Sequence, residues 1–294
     1  MIGLGKMGYN ITQNLLNHGH QVVAFDLDDE RVACIRKEGA ETVSSIAEAV
    51  ASLPGRKVLW LMIPAGKAVD SVIDEMVPLL SPGDILIDGG NSNYKDTVER
   101  YGRLKTLGIS LLDCGTSGGT SGALEGACTM VGGDREAFDH VEEIFRDLSV
   151  EDGYLYVGTS GSGHFVKMVH NGIEYGMMQA MAEGFEVLHK SPYDIDYEKV
   201  AKLWNHGSVI RGWLMELMES AFTKDSRLEE IRGVMNSSGE GRWTVETAFD
   251  LGVPTPVIAM SLFMRYRSLE DDTFAGKVVS ALRNEFGGHA VVRK

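Results

Sequence analysis

GLGKMGYNITQNLLNHGHQVVAFD, residues Gly3 to Asp26, opens on three glycines and closes on an acid. Gly3, Gly5 and Gly8 stand at GxGxxG spacing, a helical stretch follows from about Tyr9 to His18, and QVVAFD reads as a short strand. That order suits a βαβ dinucleotide fold. The first glycine permits the tight turn, the second lets backbone approach a pyrophosphate, and the third allows close helix–strand packing. The helix N-terminus attracts the phosphate charge. Asp26 lies about 20 residues on, where a carboxylate accepts ribose hydroxyls and repels a 2′-phosphate, so NAD is expected over NADP. Arg31 and Arg36 leave room for dual use. Only Met1 and Ile2 precede Gly3, whereas a central parallel strand runs about five residues. The residues written here are therefore expected to be a trimmed form of a chain that starts upstream.

Apolar runs alternate with helical signals after this opening. KVLWLMI, DILIDGG, ISLLDCG and, more loosely, YLYVG read as strands, with helices near Gly66–Leu80 and Tyr94–Gly108 between them. Near-continuous apolar strands separated by helices indicate a parallel sheet covered on both faces. Ligands gather where the C-terminal ends of such strands run into loops. Two loops follow such ends: DGGNSNYKDT, with Asn91 and Ser92, and GTSGGTSGALEG, with Ser117, Gly118 and Gly119. Consecutive glycines beside serine can form a backbone nest for a carboxylate, although plain turn chemistry uses the same residues.

The chain has 294 residues, of which 44% are apolar, enough for two cores. The expected architecture is an α/β Rossmann-type domain with a mostly parallel, doubly wound sheet over residues 1–160. An all-α domain for substrate binding and dimerisation is expected over 161–294. The net charge of −14 argues against nucleic acid or an anionic membrane surface. No apolar run is long enough to span a bilayer, and no signal peptide is expected. Cys34, Cys114 and Cys128 have neither CxxC spacing nor an even count. A reducing, cytoplasmic compartment is expected, with no disulfide framework and no metal. The acidity requires a local basic pocket if the ligand is an anion. From Ser261 onward Arg265, Arg267, Lys277, Arg283, Arg293 and Lys294 outnumber four acids, a balance opposite to that of the whole chain.

The carboxy-terminal half reads as helical. Its first helix is expected from Gly163 to near Lys190, with Met177, Met178 and Met181 filling core gaps. Trp204, Trp213 and Trp243 read as core anchors, and Pro254 and Pro256 as a break between helices. Gly287 and Gly288 are expected to end the last helix and leave His289 on an exposed arm, of the kind that packs on a neighbouring subunit.

The chemistry concentrates in GHFVKMVHNGIEYG, Gly163 to Gly176. At about 100° per residue, Lys167, His170, Asn171, Glu174 and Tyr175 fall within roughly 140° of arc. Phe165, Val169, Gly172, Ile173, Gly176 and Ala180 take the other side. An amine, an imidazole, an amide, a carboxylate and a phenol held together can exchange protons and hydrogen-bond a polyol. A polar face touching another subunit is the alternative, although a merely solvated face more often carries Lys, Glu and Arg in i,i+4 pairs.

GLGKMG, DGGNSNYKDT, TSGG, GHFVKMVHNGIEYG, GRWT, LGVP and RNEFGGHAVV, in this order, resemble the decarboxylating 6-phosphogluconate dehydrogenases in their shorter bacterial form. The likeness spans nearly the whole chain. Lys167 with Asn171 alone fits the wider β-hydroxyacid dehydrogenases, whereas HNGIEY with the R…FGGH tail is narrower. The resemblance implies that Lys167 is the general base for the 3-hydroxyl and that Glu174 protonates C1 to yield ribulose 5-phosphate. It makes His170 and Asn171 orienting partners and puts Asn91, Ser117, Gly118 and Gly119 near the sugar-acid end. It gives the phosphate to Tyr175 and Arg265, joined by Arg283 and His289 of a second subunit, so a homodimer or dimer of dimers is expected. The cofactor set is Gly3, Gly5, Lys6, Met7, Gly8, Asp26, Ile63, Pro64, Ala65 and Asn91.

A lysine acts as base only when neutral, which asks for burial or nearby positive charge. Arginine suits phosphate because its planar fork donates two parallel hydrogen bonds. No metal is needed, since a β-keto acid is its own electron sink. The chain departs from longer members in carrying Phe25-Asp26-Leu27 where they have Asn-Arg-Thr. It also lacks a phosphate-binding lysine near Ser238, for which Arg211 could compensate, and the second helical repeat. Two other functions stay open at this point. One is an NAD-dependent dehydrogenase of a small unphosphorylated 3-hydroxy acid, without decarboxylation. The other is a non-catalytic nucleotide-binding sensor.

Overall fold

The computed structural model describes residues 1–293, so Lys294 of the basic tail lies outside the described residues. It divides into two compact units, Met1–Asn171 and Gly172–Lys294, with the division inside one long helix.

The first unit begins at the glycine-rich turn. Ile2 makes parallel bridges to Phe25 on one side and Leu61 on the other, placing the opening residues at the centre of the sheet. Helix α1 (Lys6–Asn17) follows, then strand β1 (Val23–Ala24), α2 (Asp29–Lys37), β2 (Glu41–Thr42) and α3 (Ile46–Ser52). Asp28 caps α2 and Ser45 caps α3, each accepting backbone N–H bonds that the first helical turn leaves unmade. Next come β3 (Val58–Leu61), α4 (Lys67–Met76), β4 (Ile85–Asp88), α5 (Tyr94–Lys105) and β5 (Ser110–Ser117). The unit continues with α6 (Gly119–Glu125), β6 (Ala127–Gly132), α7 (Arg135–Leu148) and β7 (Ser149–Gly158).

β1 pairs in parallel with β2, and the main sheet runs β3-β4-β5-β6-β7. All its pairings are parallel except β5 with β6. β6 was not expected as a strand, and the reversal has a simple cause. The β5–β6 connection is the seven-residue α6 with its flanking glycines, shorter than the dozen or more residues a parallel crossover needs.

Side chains alternate across the strands, so each strand serves two cores. Trp60, Ile85, Ile87, Leu112 and Val131 pack with Ile11 of α1 and Phe138, Val141 and Phe145 of α7. Leu59, Leu61, Leu86 and Leu111 pack on the other side with Ile46, Ile73 and Leu104 of α3, α4 and α5. This is the doubly wound arrangement that the apolar runs announced.

Helix α8 (Ser162–Lys190) starts in the first unit and continues into the second. The rest of the second unit is helical: α9 (Tyr197–Asn205), α10 (Trp213–Lys224), α11 (Gly239–Leu251), α12 (Pro256–Ser268) and α13 (Phe274–Gly287). Pro256 sits in the first turn of α12, where its missing N–H costs nothing, so the break between α11 and α12 falls as read. Phe185, Tyr197, Met215 and Phe222 form one small core, with Trp204 against it. Tyr175, Val245 and Leu262 form another. Two core assignments need correction: Met177 is 52% exposed and Trp213 is 49% exposed. On α8, Ile173 of the side read as apolar is exposed, while Lys167 and Tyr175 of the side read as polar are buried. Among the described residues no helix is long and apolar enough to cross a membrane.

Candidate active site

The glycine-rich turn has the shape a dinucleotide requires. Gly3 has φ +96°, and a Cβ there would strike Met62 O; a Cβ on Gly8 would strike Gly3 O. A Cβ on Gly5 would meet open space, so at the middle glycine the backbone itself faces the cleft. α1 starts at Lys6 with no side-chain cap and no acid in its first turn, leaving its N–H groups for an anion. A cavity of about 330 Å³ opens beside the turn, lined by Leu4, Lys6, Tyr9, Asn10, Arg31 and Thr120. Met7 packs against the core beneath. Ile63, Pro64 and Ala65 lie in the loop between β3 and α4. These residues fit a dinucleotide.

Asp26 stands two residues beyond the end of β1, and its carboxylate accepts the backbone N–H of Leu4 and, at 2.9 Å, that of Asp28. The acid is thereby anchored to the turn. Arg31 pairs with Asp28 at 3.0 Å, and Arg36 donates to Thr42 Oγ1. Both arginines are therefore engaged on the protein itself. Leu27 is 92% exposed beside them.

A second group of residues is gathered where β4 and β5 end and α8 begins. Lys167 is 5% exposed, and its Nζ donates to Asn171 Oδ1 at 2.7 Å. His170 Nδ1 stands 3.4 Å from the same amine and 3.1 Å from Asn171 Oδ1, while its Nε2 meets Ser117 Oγ at 3.2 Å. Asn91 adopts a left-handed φ of 51°, and its Oδ1 accepts from Thr116 N at 3.4 Å. Gly118 and Gly119 follow Ser117 with φ of +112° and +62°, conformations that suit the nest read from the sequence. Ser117, Lys167, His170 and Asn171 thus form a connected polar group on β5 and α8, with Asn91 of the loop after β4 held against the backbone next to Ser117.

Behind that group lie two buried aspartates not singled out from the sequence. Asp88, at the end of β4, accepts from Gly90 N at 3.0 Å and Ser92 Oγ at 2.7 Å, with Arg100 Nη1 at 3.5 Å. It holds the loop that carries Asn91. Asp113, in β5, accepts from Gly161 N and His164 N at the start of α8. The available signal was a charged residue closing an apolar run, in DILID and ISLLD.

In the second unit, Glu174 is half-buried on α8 and Tyr175 is buried. The Arg265 guanidinium lies 3.5 Å from the centre of the Tyr175 ring, a cation–π stack, and Arg265 Nη1 donates to Asn236 O at 2.8 Å. The Tyr175 hydroxyl meets Ser238 Oγ at 3.1 Å and accepts from Ser238 N at 3.1 Å. Ser238 immediately precedes α11. Arg283 on α13 and His289 beyond it are exposed. Gly288 ends α13 with φ +63°, and His289 O accepts from Asn284 Nδ2 at 2.8 Å. Arg211 is exposed between α9 and α10. Among the described residues no three His, Cys, Asp or Glu side chains are grouped as metal ligands.

Comparison with known proteins follows this division. Residues 1–158 match the family described as the NAD binding domain of 6-phosphogluconate dehydrogenase, and residues 163–275 match the 6-phosphogluconate dehydrogenase C-terminal domain. A Bacillus subtilis (strain 168) protein, YqeC, named provisionally as a 6-phosphogluconate dehydrogenase, is 59% identical over 100% of this chain and 99% of its own length. The NAD(+)-dependent, decarboxylating 6-phosphogluconate dehydrogenase of Haloferax volcanii is 46% identical, over 100% of this chain and 98% of its own. The solved 6-phosphogluconate dehydrogenase of Plasmodium falciparum, described apo, with NADP+ and with 6-phosphogluconate, superimposes with a TM-score of 0.84 at 29% identity. That alignment covers 100% of this chain but 65% of the longer parasite chain. By both domains and by relatives matched end to end, the chain belongs to the 6-phosphogluconate dehydrogenase family.

Proposed function

We propose that this protein oxidises and decarboxylates 6-phospho-D-gluconate to D-ribulose 5-phosphate and CO2, passing hydride to NAD. The observation that carries the reading is the buried Lys167 amine, hydrogen-bonded to Asn171 and beside His170. When bound, the nicotinamide supplies the acceptor for the hydride leaving C3. Lys167 takes the 3-hydroxyl proton as that hydride departs, leaving a 3-keto acid. The C1-carboxylate carbon then breaks from C2, and its bonding pair moves into the new carbonyl to give an enolate. Protonated Lys167 stabilises the enolate oxygen. Glu174 returns a proton to the carbon that lost CO2, restoring a ketone. His170 and Asn171 orient the sugar by hydrogen bonds, and Asn91, Ser117, Gly118 and Gly119 hold the sugar-acid end.

The phosphate falls to Tyr175 and Arg265, with Arg283 and His289 from a second copy of the chain, so the active form is at least a homodimer. α13 supports this, because none of its residues is buried. The preference for NAD over NADP rests on Asp26 beside the turn and on the engagement of Arg31 and Arg36. Residues 1–160 serve the dinucleotide and lend Asn91, Ser117, Gly118 and Gly119 to the substrate, and residues 161–294 serve substrate and association. A small unphosphorylated acid would have no use for the arginine and histidine at 283 and 289.

A coupled assay that follows NADH and CO2 together, on purified protein with NAD and 6-phosphogluconate, tests the reading. Equal formation of the two is expected, and Lys167→Met should remove both by at least a thousandfold, in the upper range for a positioned acid–base group. NADH without CO2 would indicate the simple dehydrogenase; neither product would indicate a sensor.

A further inference from the structure

β5 carries three residues on one side at i, i+2 and i+4, and each meets a successive turn of α8. Asp113 is fully buried, and its two carboxylate oxygens accept from Gly161 N at 2.8 Å and His164 N at 2.9 Å. Gly161 immediately precedes α8 and His164 lies in its first turn, where N–H groups have no partners within the helix. Gly115 lies under Lys167, and a Cβ on it would overlap the Lys167 Cβ. Ser117 then reaches His170 with its hydroxyl. Gly163 packs equally tightly, since a Cβ there would overlap Asp113 O and crowd Met130 O. A rise of about 1.5 Å per residue makes 161 to 170 span roughly 13 Å, close to the four-residue span of a strand from 113 to 117. Helix and strand therefore keep step over the whole polar group.

We propose that Asp113 is a positioning residue for the proton-transfer step, setting the register of α8 on β5 so that Lys167 seats over Gly115 and His170 meets Ser117. Asp113 touches no reacting atom in this scheme. It acts through the helix, and a shift of the helix start by one N–H would carry the amine along the axis. Displacement of about 1 Å at a reacting group costs on the order of a hundredfold in rate.

The inference rests on Lys167 as base, and the experiment separates the two. Asp113→Asn keeps the shape but gives one backbone N–H an amide donor to face. Turnover is measured per NADH-binding site, counted by fluorescence titration, so misfolded molecules do not enter the rate. At least a tenfold loss of turnover per site, with the NADH dissociation constant within twofold of wild type, is expected. A smaller loss, or one matched by weakened NADH binding, overturns the proposal. If Asp113→Asn fails to fold, Gly115→Ala, which pushes on the lysine stem directly, is read by the same criteria. Lys167→Met is the control: full turnover in that variant sinks the assignment of the base itself, whatever the Asp113 result.

Discussion

Lys167 and Asn171 sit at i,i+4, so any helix through them brings amine and amide together, and their 2.7 Å hydrogen bond needs no other element. Ser117 is different. Its contact with His170 spans 53 positions and exists only because β5 lies against α8. Asp26 was legible as the acid closing a strand, but its double anchorage to Leu4 and Asp28 was not, because a backbone turn has no sequence periodicity. That anchorage fixes the Asp26 carboxylate beside the glycine-rich turn. We expect kcat/KM for NAD to exceed that for NADP by at least tenfold. Asp26→Ser should narrow the ratio tenfold or more, about 1.4 kcal/mol. An NADP preference in the unaltered protein would show the role assigned to Asp26 to be wrong.

Among the elements, α4 and α5 are joined by a contact that sets a pH dependence. Arg100 donates to Asp70 Oδ1 at 2.7 Å and to Gly66 O at 3.1 Å, and also faces Asp88. The Arg100 guanidinium holds the Asp70 carboxyl below its usual range. The sign follows from linkage: a carboxyl depressed in the folded state adds stability that is present above its unfolded value, about 3.9, and lost as pH falls through the folded value. Melting temperature should drop below about pH 4, and Asp70→Asn should flatten that fall while lowering stability at neutral pH. Parallel acid limbs in the two proteins would remove Asp70 from the account. Elements differ in legibility for a related reason. β3 and β4 are apolar runs and were read directly, as was the first half of β5, whereas β6, ACTMVG, follows a glycine- and serine-rich stretch that reads as a loop and runs against its neighbour β5. Its strand character comes from pairing with β5 and β7 rather than from composition.

At the scale of the molecule, α13 leaves Phe274, Val279, Leu282 and Phe286 largely exposed, an apolar surface that a single copy does not bury. A second copy covering it would also bring Arg283 and His289 to the neighbour's substrate. Arg283→Ala should then raise KM for 6-phosphogluconate at least tenfold, about 1.4 kcal/mol, with little change in NADH binding. Mixing this variant with Lys167→Met should restore low-KM activity, because a mixed dimer holds one site with both residues intact. A mixture that keeps the raised KM, in a preparation shown by light scattering to exchange subunits, would place Arg283 outside the shared site.

What the order of residues determined alone is whatever is local: a glycine turn, apolar strands with an acid at the end, and helical faces carrying polar groups at i,i+4. Those features arise from neighbours a few positions apart, so chain geometry suffices to bring them together. Tertiary structure decided the reversal of β6, the burial of Lys167, the embrace of α8 by Asp113, and the exposure of Met177 and Trp213. Each depends on which surfaces meet across tens of residues, and pattern along the chain does not encode that distance.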